Sequence, residues 1–116
     1  MNKLLVVCII IGIISSAKAQ YFTKVINSPL ATDSGDSRSV NWIDVNKDGF
    51  IDCFISNGAF GGQNNQLYLN NGVGNFTKVL NDTIVKDGDP SDGASFADTD
   101  NDGDMDAFVA NWYNIN

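Results

Sequence analysis

This 116-residue sequence contains no histidine, and it has seven basic residues against fourteen acidic ones. Glutamate is absent, so all fourteen acidic residues are aspartates. Zinc prefers nitrogen and sulfur ligands, and a chain with no histidine and two cysteines offers too few of them. Without histidine there is also no Ser/His or Cys/His combination for nucleophilic catalysis. The sequence therefore predicts neither a zinc site nor an enzyme.

One of the two cysteines lies in an N-terminal segment that is typical of a secretory signal peptide. Within residues 1–19, Lys3 precedes eleven apolar residues (4–14), and Ala17-Lys18-Ala19 supplies small residues for cleavage. Eleven apolar residues are too few to cross about 30 Å of hydrocarbon. We therefore predict cleavage after residue 19, a secreted or cell-surface location, and no transmembrane span in this chain.

The predicted mature chain retains a single cysteine, Cys53, and so has no internal disulfide. Its place in an alternating strand pattern favours a buried small apolar residue over a reactive thiol. Loss of Lys3 and Lys18 leaves five basic residues against fourteen acidic ones, a net charge of −9. Nucleic acid is not an expected partner of such an acidic chain.

Eight of the fourteen aspartates lie in two loops that begin 54 residues apart. Each loop has oxygen-bearing side chains at positions 1, 3, 5 and 9 and a glycine at position 6. Alternate spacing lets a tightly turned backbone direct several oxygens at one point, and hard oxygen ligands suit Ca²⁺. The two loops read Asp44-Val-Asn46-Lys-Asp48-Gly49-Phe50-Ile-Asp52 and Asp98-Thr-Asp100-Asn-Asp102-Gly103-Asp104-Met-Asp106.

We predict one Ca²⁺ per loop, with side-chain ligands at positions 1, 3, 5 and 9 and a backbone carbonyl at position 7. An EF-hand or dockerin loop would need a glutamate at position 12, where Ile55 and Val109 stand. A metal-free turn capped by aspartate hydrogen bonds is the alternative, although it crowds several carboxylates together without a cation. The predicted calcium ligands are Asp44, Asn46, Asp48, Phe50, Asp52, Asp98, Asp100, Asp102, Asp104 and Asp106.

The similarity between the two halves extends well beyond the loops. Residues 22–57 align without gaps with residues 76–111, and 13 of these 36 positions are identical. An internal repeat of this length indicates a solenoid, a propeller or an array. Trp42 and Phe96 occupy equivalent positions, which favours core packing for both, and the equivalent Asp33 and Asp87 are expected to form turns.

Each repeat has an all-β pattern of four short strands. Polar and apolar residues alternate around Val40 and Trp42, and again over residues 51–55, on the two sides of the first loop. A third run, residues 66–69, ends at Asn70-Asn71-Gly72, and residues 76–79 form a fourth. Four-stranded antiparallel blades of a β-propeller are the expected architecture, with about one and three-quarter repeats present.

The acidic loop of residues 96–111, together with Leu67-Tyr-Leu-Asn-Asn-Gly-Val-Gly-Asn-Phe76, resembles the FG-GAP/VCBS-type repeats of secreted proteins. Those repeats are similar to the blades of the integrin α-subunit propeller. The resemblance implies that each acidic loop joins two neighbouring strands of a blade and holds Ca²⁺. The literal Phe-Gly and Gly-Ala-Pro pair of the family is missing, and Ala59-Phe60-Gly61-Gly62 is its nearest counterpart.

The repeat boundaries predict repeat 1 at about residues 22–75 and a truncated repeat 2 at residues 76–116. We therefore expect an N-terminal fragment of a longer protein. The leading function is a secreted calcium-binding propeller module for adhesion or for binding a protein or carbohydrate. The alternatives are the scaffold of an extracellular polysaccharide lyase or hydrolase, with catalytic residues beyond residue 116, and a structural display array.

Overall fold

A computed structural model describes residues 21–112 of the chain. These residues form six strands, one four-residue α-helix and one 3-10 helix. In chain order the elements are α1 (Pro29–Thr32), β1 (Ser37–Ile43), β2 (Asp52–Asn57), β3 (Gln66–Asn70), β4 (Phe76–Lys78), the 3-10 helix (Thr83–Val85), β5 (Ser91–Ala97) and β6 (Asp106–Asn111). No helix within residues 21–112 is long and apolar enough to cross a membrane. The predicted signal peptide lies outside the described residues.

The strands form two antiparallel sheets, which confirms the predicted all-β class. The first sheet has four strands in the order β1-β2-β3-β4, and the second pairs β5 with β6. Each acidic loop is the connection of a hairpin, β1 to β2 or β5 to β6. The first sheet therefore corresponds to a complete four-stranded blade, and the second to the first two strands of the next.

The two hairpins repeat each other in detail. Both pairings contain an irregularity near their open end, between Ser37 and Ser39 in the first hairpin and between Ser91 and Gly93 in the second. At each of these ends a serine hydroxyl donates to an asparagine side chain across the pair. The two bonds are Ser37 to Asn57 at 3.2 Å and Ser91 to Asn111 at 3.0 Å. The repeat found in the sequence is therefore a structural repeat.

The apolar core lies between the two sheets. It is centred on Phe54, Leu67 and Val85, which are all buried. Phe54 on β2 meets Phe96 on β5 edge to face, with ring centroids 5.4 Å apart. Aromatic pairs in this arrangement add about 0.5–1.5 kcal/mol to the burial of their area. Side chains of the first sheet thus pack directly on the second.

Close backbone contact and polar bonds complete the seam between the sheets. A Cβ atom added at Gly62 would lie 1.8 Å from the carbonyl oxygen of Gly88, so only glycine fits there. The buried Asn65 donates through Nδ2 to Asp87 at 2.8 Å and to Ser91 at 3.1 Å. The counterpart of the family's glycine motif therefore contacts the segment that leads into the second blade.

Three side chains test the smaller sequence predictions. Cys53 is buried as predicted, and burial raises the pKa of its thiol to about 11. The core prediction was wrong for Trp42, which is 58% exposed, because no sheet within the described residues covers its face of β1. Asp33 is more than a turn former, since it accepts hydrogen bonds from Tyr68 at 2.9 Å and from Lys78 at 2.7 Å.

Candidate metal centre

Both acidic loops follow the same backbone path. Position 4 is left-handed in each, with φ of 58° at Lys47 and 61° at Asn101. Position 6 is left-handed as well, with φ of 88° at Gly49 and 91° at Gly103. Glycine adopts this conformation without steric cost, which explains why it recurs at position 6. The shared path brings the side-chain oxygens at positions 1, 3 and 5 within hydrogen-bond distance of backbone N–H groups of the same loop.

Hydrogen bonds from the loop backbone to the acidic side chains hold this path. The position-1 carboxylate accepts from the position-6 glycine, the position-3 oxygen accepts from position 5, and the position-5 carboxylate accepts from position 7. In the first loop the bonds are Gly49 to Asp44 at 2.9 Å, Asp48 to Asn46 at 3.1 Å and Phe50 to Asp48 at 2.9 Å. In the second they are Gly103 to Asp98 at 3.0 Å, Asp102 to Asp100 at 3.1 Å and Asp104 to Asp102 at 2.7 Å.

The position-9 aspartates close the loops but differ in their surroundings. Asp52 is buried, and its two oxygens accept from the N–H groups of Val45 at 3.1 Å and Asn70 at 2.8 Å. Asp106 is exposed and accepts from both the hydroxyl and the N–H of Thr99. These bonds hold the pKa of Asp106 below its ordinary value. Asp52 therefore connects the loop to β3, whereas Asp106 stays within its own hairpin.

Three carboxylates converge in the second loop. Asp98, Asp100 and Asp106 each place an oxygen within 4.8 Å of the others. Oδ1 of Asp98 is buried and has no hydrogen-bond partner. Leaving such an oxygen unpaired costs about 1–3 kcal/mol, and a bound cation would remove that cost. An all-oxygen set of this kind fits Ca²⁺ or Mg²⁺.

The first loop is arranged differently. Nδ2 of Asn46 donates to Oδ2 of Asp48 at 2.9 Å, and both oxygens of Asp44 accept backbone N–H groups. Within residues 21–112, the convergence of three acidic groups occurs in the second loop and not in the first. The side-chain polar atoms of the first loop are thus hydrogen-bonded within the loop to a greater degree than those of the second.

At position 7, where the predicted ligand is the backbone carbonyl, the side chains make contacts outside their own loops. The Asp104 side chain forms an ion pair with Lys47, which links the second loop to the first and raises the pKa of Lys47. The ring of Phe50 covers Gly72 in the turn between β3 and β4. Asp102 lies beside the three converging carboxylates in sequence but is not one of them.

Thr99 and Lys47 are two contributors that the motif did not predict. The hydroxyl of Thr99 is specific to the second loop, because Val45 holds the equivalent position in the first. A serine or threonine at position 2 is the signal that would have indicated the extra bond. The Lys47 contact joins residues 57 positions apart, and no local pattern indicates it.

A sequence model of the FG-GAP-like repeat matches residues 44–109, which is more than half of the chain. The chain belongs to the FG-GAP-like repeat family. The FG-GAP-like match begins at the first residue of the first loop and ends within β6, so it includes both acidic loops. No curated protein and no solved structure matches the chain.

Proposed function

We propose that this FG-GAP-like chain is a secreted calcium-binding module, in which Asp98, Asp100 and Asp106 hold a Ca²⁺ ion. The observation that carries the proposal is the buried, unpartnered Oδ1 of Asp98 beside two other converging carboxylates. Bound Ca²⁺ would supply positive charge to these oxygens. The hydrogen bonds from Gly103 and Thr99 orient two of the three carboxylates before any ion arrives.

The proposed role of the site is structural support for a binding surface. The second loop connects β5 to β6, so fixing its carboxylates fixes the hairpin. A small secreted domain without disulfides needs such a brace. We extend the proposal to adhesion or ligand binding, with a protein or a carbohydrate as the ligand, because the blades provide a rigid scaffold for exposed loops.

We also propose that the second loop binds Ca²⁺ more tightly than the first. It has carboxylates at positions 1, 3, 5 and 9, whereas the first loop has the neutral Asn46 at position 3. More negative ligand charge favours a divalent cation, and the amide of Asn46 is already bonded to Asp48. Extracellular calcium sites of this kind bind at about 10⁻⁴–10⁻³ M.

Calcium titration by calorimetry, combined with native mass spectrometry, tests this function. We expect the unmodified chain to bind up to one ion per loop. In the Asp100→Asn variant, a lower concentration of chelator should be enough to remove the ion from the second loop. Magnesium serves as the competing ion, and we expect it to displace calcium poorly because it keeps its water ligands. No calcium uptake at millimolar concentration would contradict the proposal.

A further inference from the structure

The two sulfur-containing side chains of the described residues differ in their exposure. Cys53 on β2 is 1% exposed, and burial raises the pKa of its thiol to about 11, so it stays in the less reactive protonated form. Met105 is 44% exposed and directly precedes β6. A thioether needs no deprotonation before it reacts with a peroxide, so access decides its reactivity. Met105 is therefore the sulfur that an oxidant reaches first.

Met105 stands at position 8 of the second acidic loop, between Asp104 and Asp106. Asp106 is one of the three converging carboxylates, and Asp104 forms the ion pair with Lys47. The equivalent residue of the first loop, Ile51, is 50% exposed in a sheet that has all four strands. Exposure at position 8 is thus common to both loops, whereas an oxidisable sulfur is present only in the second.

The Met105 side chain lines an apolar cavity of about 460 Å³ between the two sheets. Val45 of the first loop, Phe96 on β5 and Ala107 on β6 line the same cavity. A thioether suits these walls because methionine is flexible, polarizable and apolar. Met105 therefore belongs to the packing between the sheets, although it lies within an acidic loop.

The polar residues of the cavity offer little to an oxidised methionine. They are Asn46 and Asp82. Nδ2 of Asn46 is bonded to Asp48 at 2.9 Å, and an ionised carboxylate such as that of Asp82 only accepts hydrogen bonds. The oxygen of a methionine sulfoxide is also an acceptor, and burying it without a donor is unfavourable. We therefore expect an oxidised Met105 side chain to leave the cavity for water.

We propose that Met105 is a site of reversible oxidation by hydrogen peroxide and that this modification weakens calcium binding by the second loop. The sulfur lone pair attacks one peroxide oxygen, the O–O bond breaks, and the other oxygen leaves as water after proton transfer. The thioether is oxidised to a sulfoxide while the peroxide is reduced to water. The departing side chain turns the backbone at residue 105 and moves Asp106 away from Asp98 and Asp100. The effect on calcium binding rests on the proposed calcium site.

Peptide mapping by mass spectrometry after peroxide treatment of the full chain tests the modification site. We expect one added oxygen at Met105 and none at Cys53, at a rate within about tenfold of the rate in urea, because the sulfur of Met105 is exposed. A methionine sulfoxide reductase should remove the oxygen. Oxidation of Cys53 before Met105, or oxidation of Met105 only after unfolding, would overturn the proposal.

Calcium titration by calorimetry before and after oxidation tests the consequence. The affinity of the second loop should fall about three- to tenfold after oxidation and return after treatment with the reductase. Met105→Gln, whose side chain has a similar length and a polar end, should show the lower affinity without any peroxide. Met105→Leu cannot be oxidised at this position, so its calcium affinity should be the same before and after peroxide.

A double variant, Met105→Leu with Ile51→Met, is the matched control, because it moves the exposed sulfur to the first loop. Peroxide should oxidise the introduced thioether without changing the affinity of the second loop. Equal calcium affinities of the oxidised and the unoxidised chain would contradict the proposed effect of the modification. No calcium uptake before any oxidation would contradict the proposed function instead, and the oxidation rate alone would then decide the modification site.

Discussion

At the scale of single residues, the two carboxylate oxygens of Asp98 have different surroundings. Oδ2 accepts the N–H of Gly103, while Oδ1 is buried without a partner. We predict that Asp98→Asn lowers the calcium affinity of the second loop at least tenfold, or about 1.4 kcal/mol, because it removes a charged ligand. Calorimetric titration measures the change. Asp92→Asn, which removes the same charge from an exposed strand position, should leave the affinity within about twofold.

Alanine substitutions at Gly62 and Gly61 distinguish the effect of a steric clash on stability from the effect of backbone conformation. Both have positive φ, 89° and 93°, but only Gly62 faces a close neighbour, the carbonyl of Gly88. We predict that Gly61→Ala costs about 1–2 kcal/mol, because alanine is strained at this φ. Gly62→Ala should lower the free energy of unfolding by at least about 2 kcal/mol more, because the added methyl group must push the Gly88 backbone away. Urea unfolding in calcium compares the two, and equal costs would show that the contact with Gly88 contributes nothing.

At the scale of elements, the two acidic loops are electrostatically connected. Lys47 of the first loop pairs with Asp104, and its charge also acts on Asp98 and Asp102. We predict that Lys47→Gln raises the calcium affinity of the second loop about two- to fivefold, because a nearby positive charge is removed. The gain should shrink at high salt, and folding stability should change little, because the pair is exposed and solvent screens it.

Lys24→Gln is the control for this effect, since Lys24 is exposed in the segment before α1 and its substitution removes the same charge. The two variants are compared by calcium titration at low and high salt. Equal affinities for both variants would mean that Lys47 does not influence the loop. A gain that persists unchanged at high salt would point to a change in loop conformation instead.

The strands could be predicted because their signals are local. Alternation after the first loop and the Asn70-Asn71-Gly72 turn predicted β2 to β4 within one or two residues of their observed bounds, and β1 begins three residues before Val40, the first residue of its alternating pattern. The four-residue helix α1 is too short to show helical periodicity. Trp42 was placed in the core by analogy with Phe96, yet its exposure depends on which sheet lies next to it. The repeat predicts where a residue lies within its blade, but it does not predict which other sheet packs against that residue.

Within the candidate site, the shared loop path and the difference in the number of carboxylates could be predicted from the sequence, but the different surroundings of the two loops could not. The spacing of glycine and oxygen-bearing residues is the same in both, and so is the backbone. The buried Oδ1 of Asp98 and the bond from Asn70 to Asp52 depend on contacts between distant segments. Such contacts have no signature in the spacing of the motif.

At the scale of the whole molecule, the two sheets leave large apolar side chains on their outer faces. We predict that the chain on its own melts over a broad range rather than in one sharp transition, since neighbouring repeats normally cover such faces. Calcium at 100 times its dissociation constant should add about 2.7 kcal/mol per site. Calorimetric melting with calcium and with chelator measures both effects. A sharp, reversible transition of a monomer without calcium would contradict the prediction.

The proposed calcium site of the second loop lies between Asp98, Asp100 and Asp106. The most direct test is a crystal structure of the chain grown with calcium and again with terbium, using anomalous scattering to locate the ion. We predict a peak about 2.3–2.6 Å from the Asp98 Oδ1 atom and within ligand distance of Asp100 and Asp106. Ordered carboxylates with no peak between them at millimolar metal, or a peak at another site alone, would contradict the account.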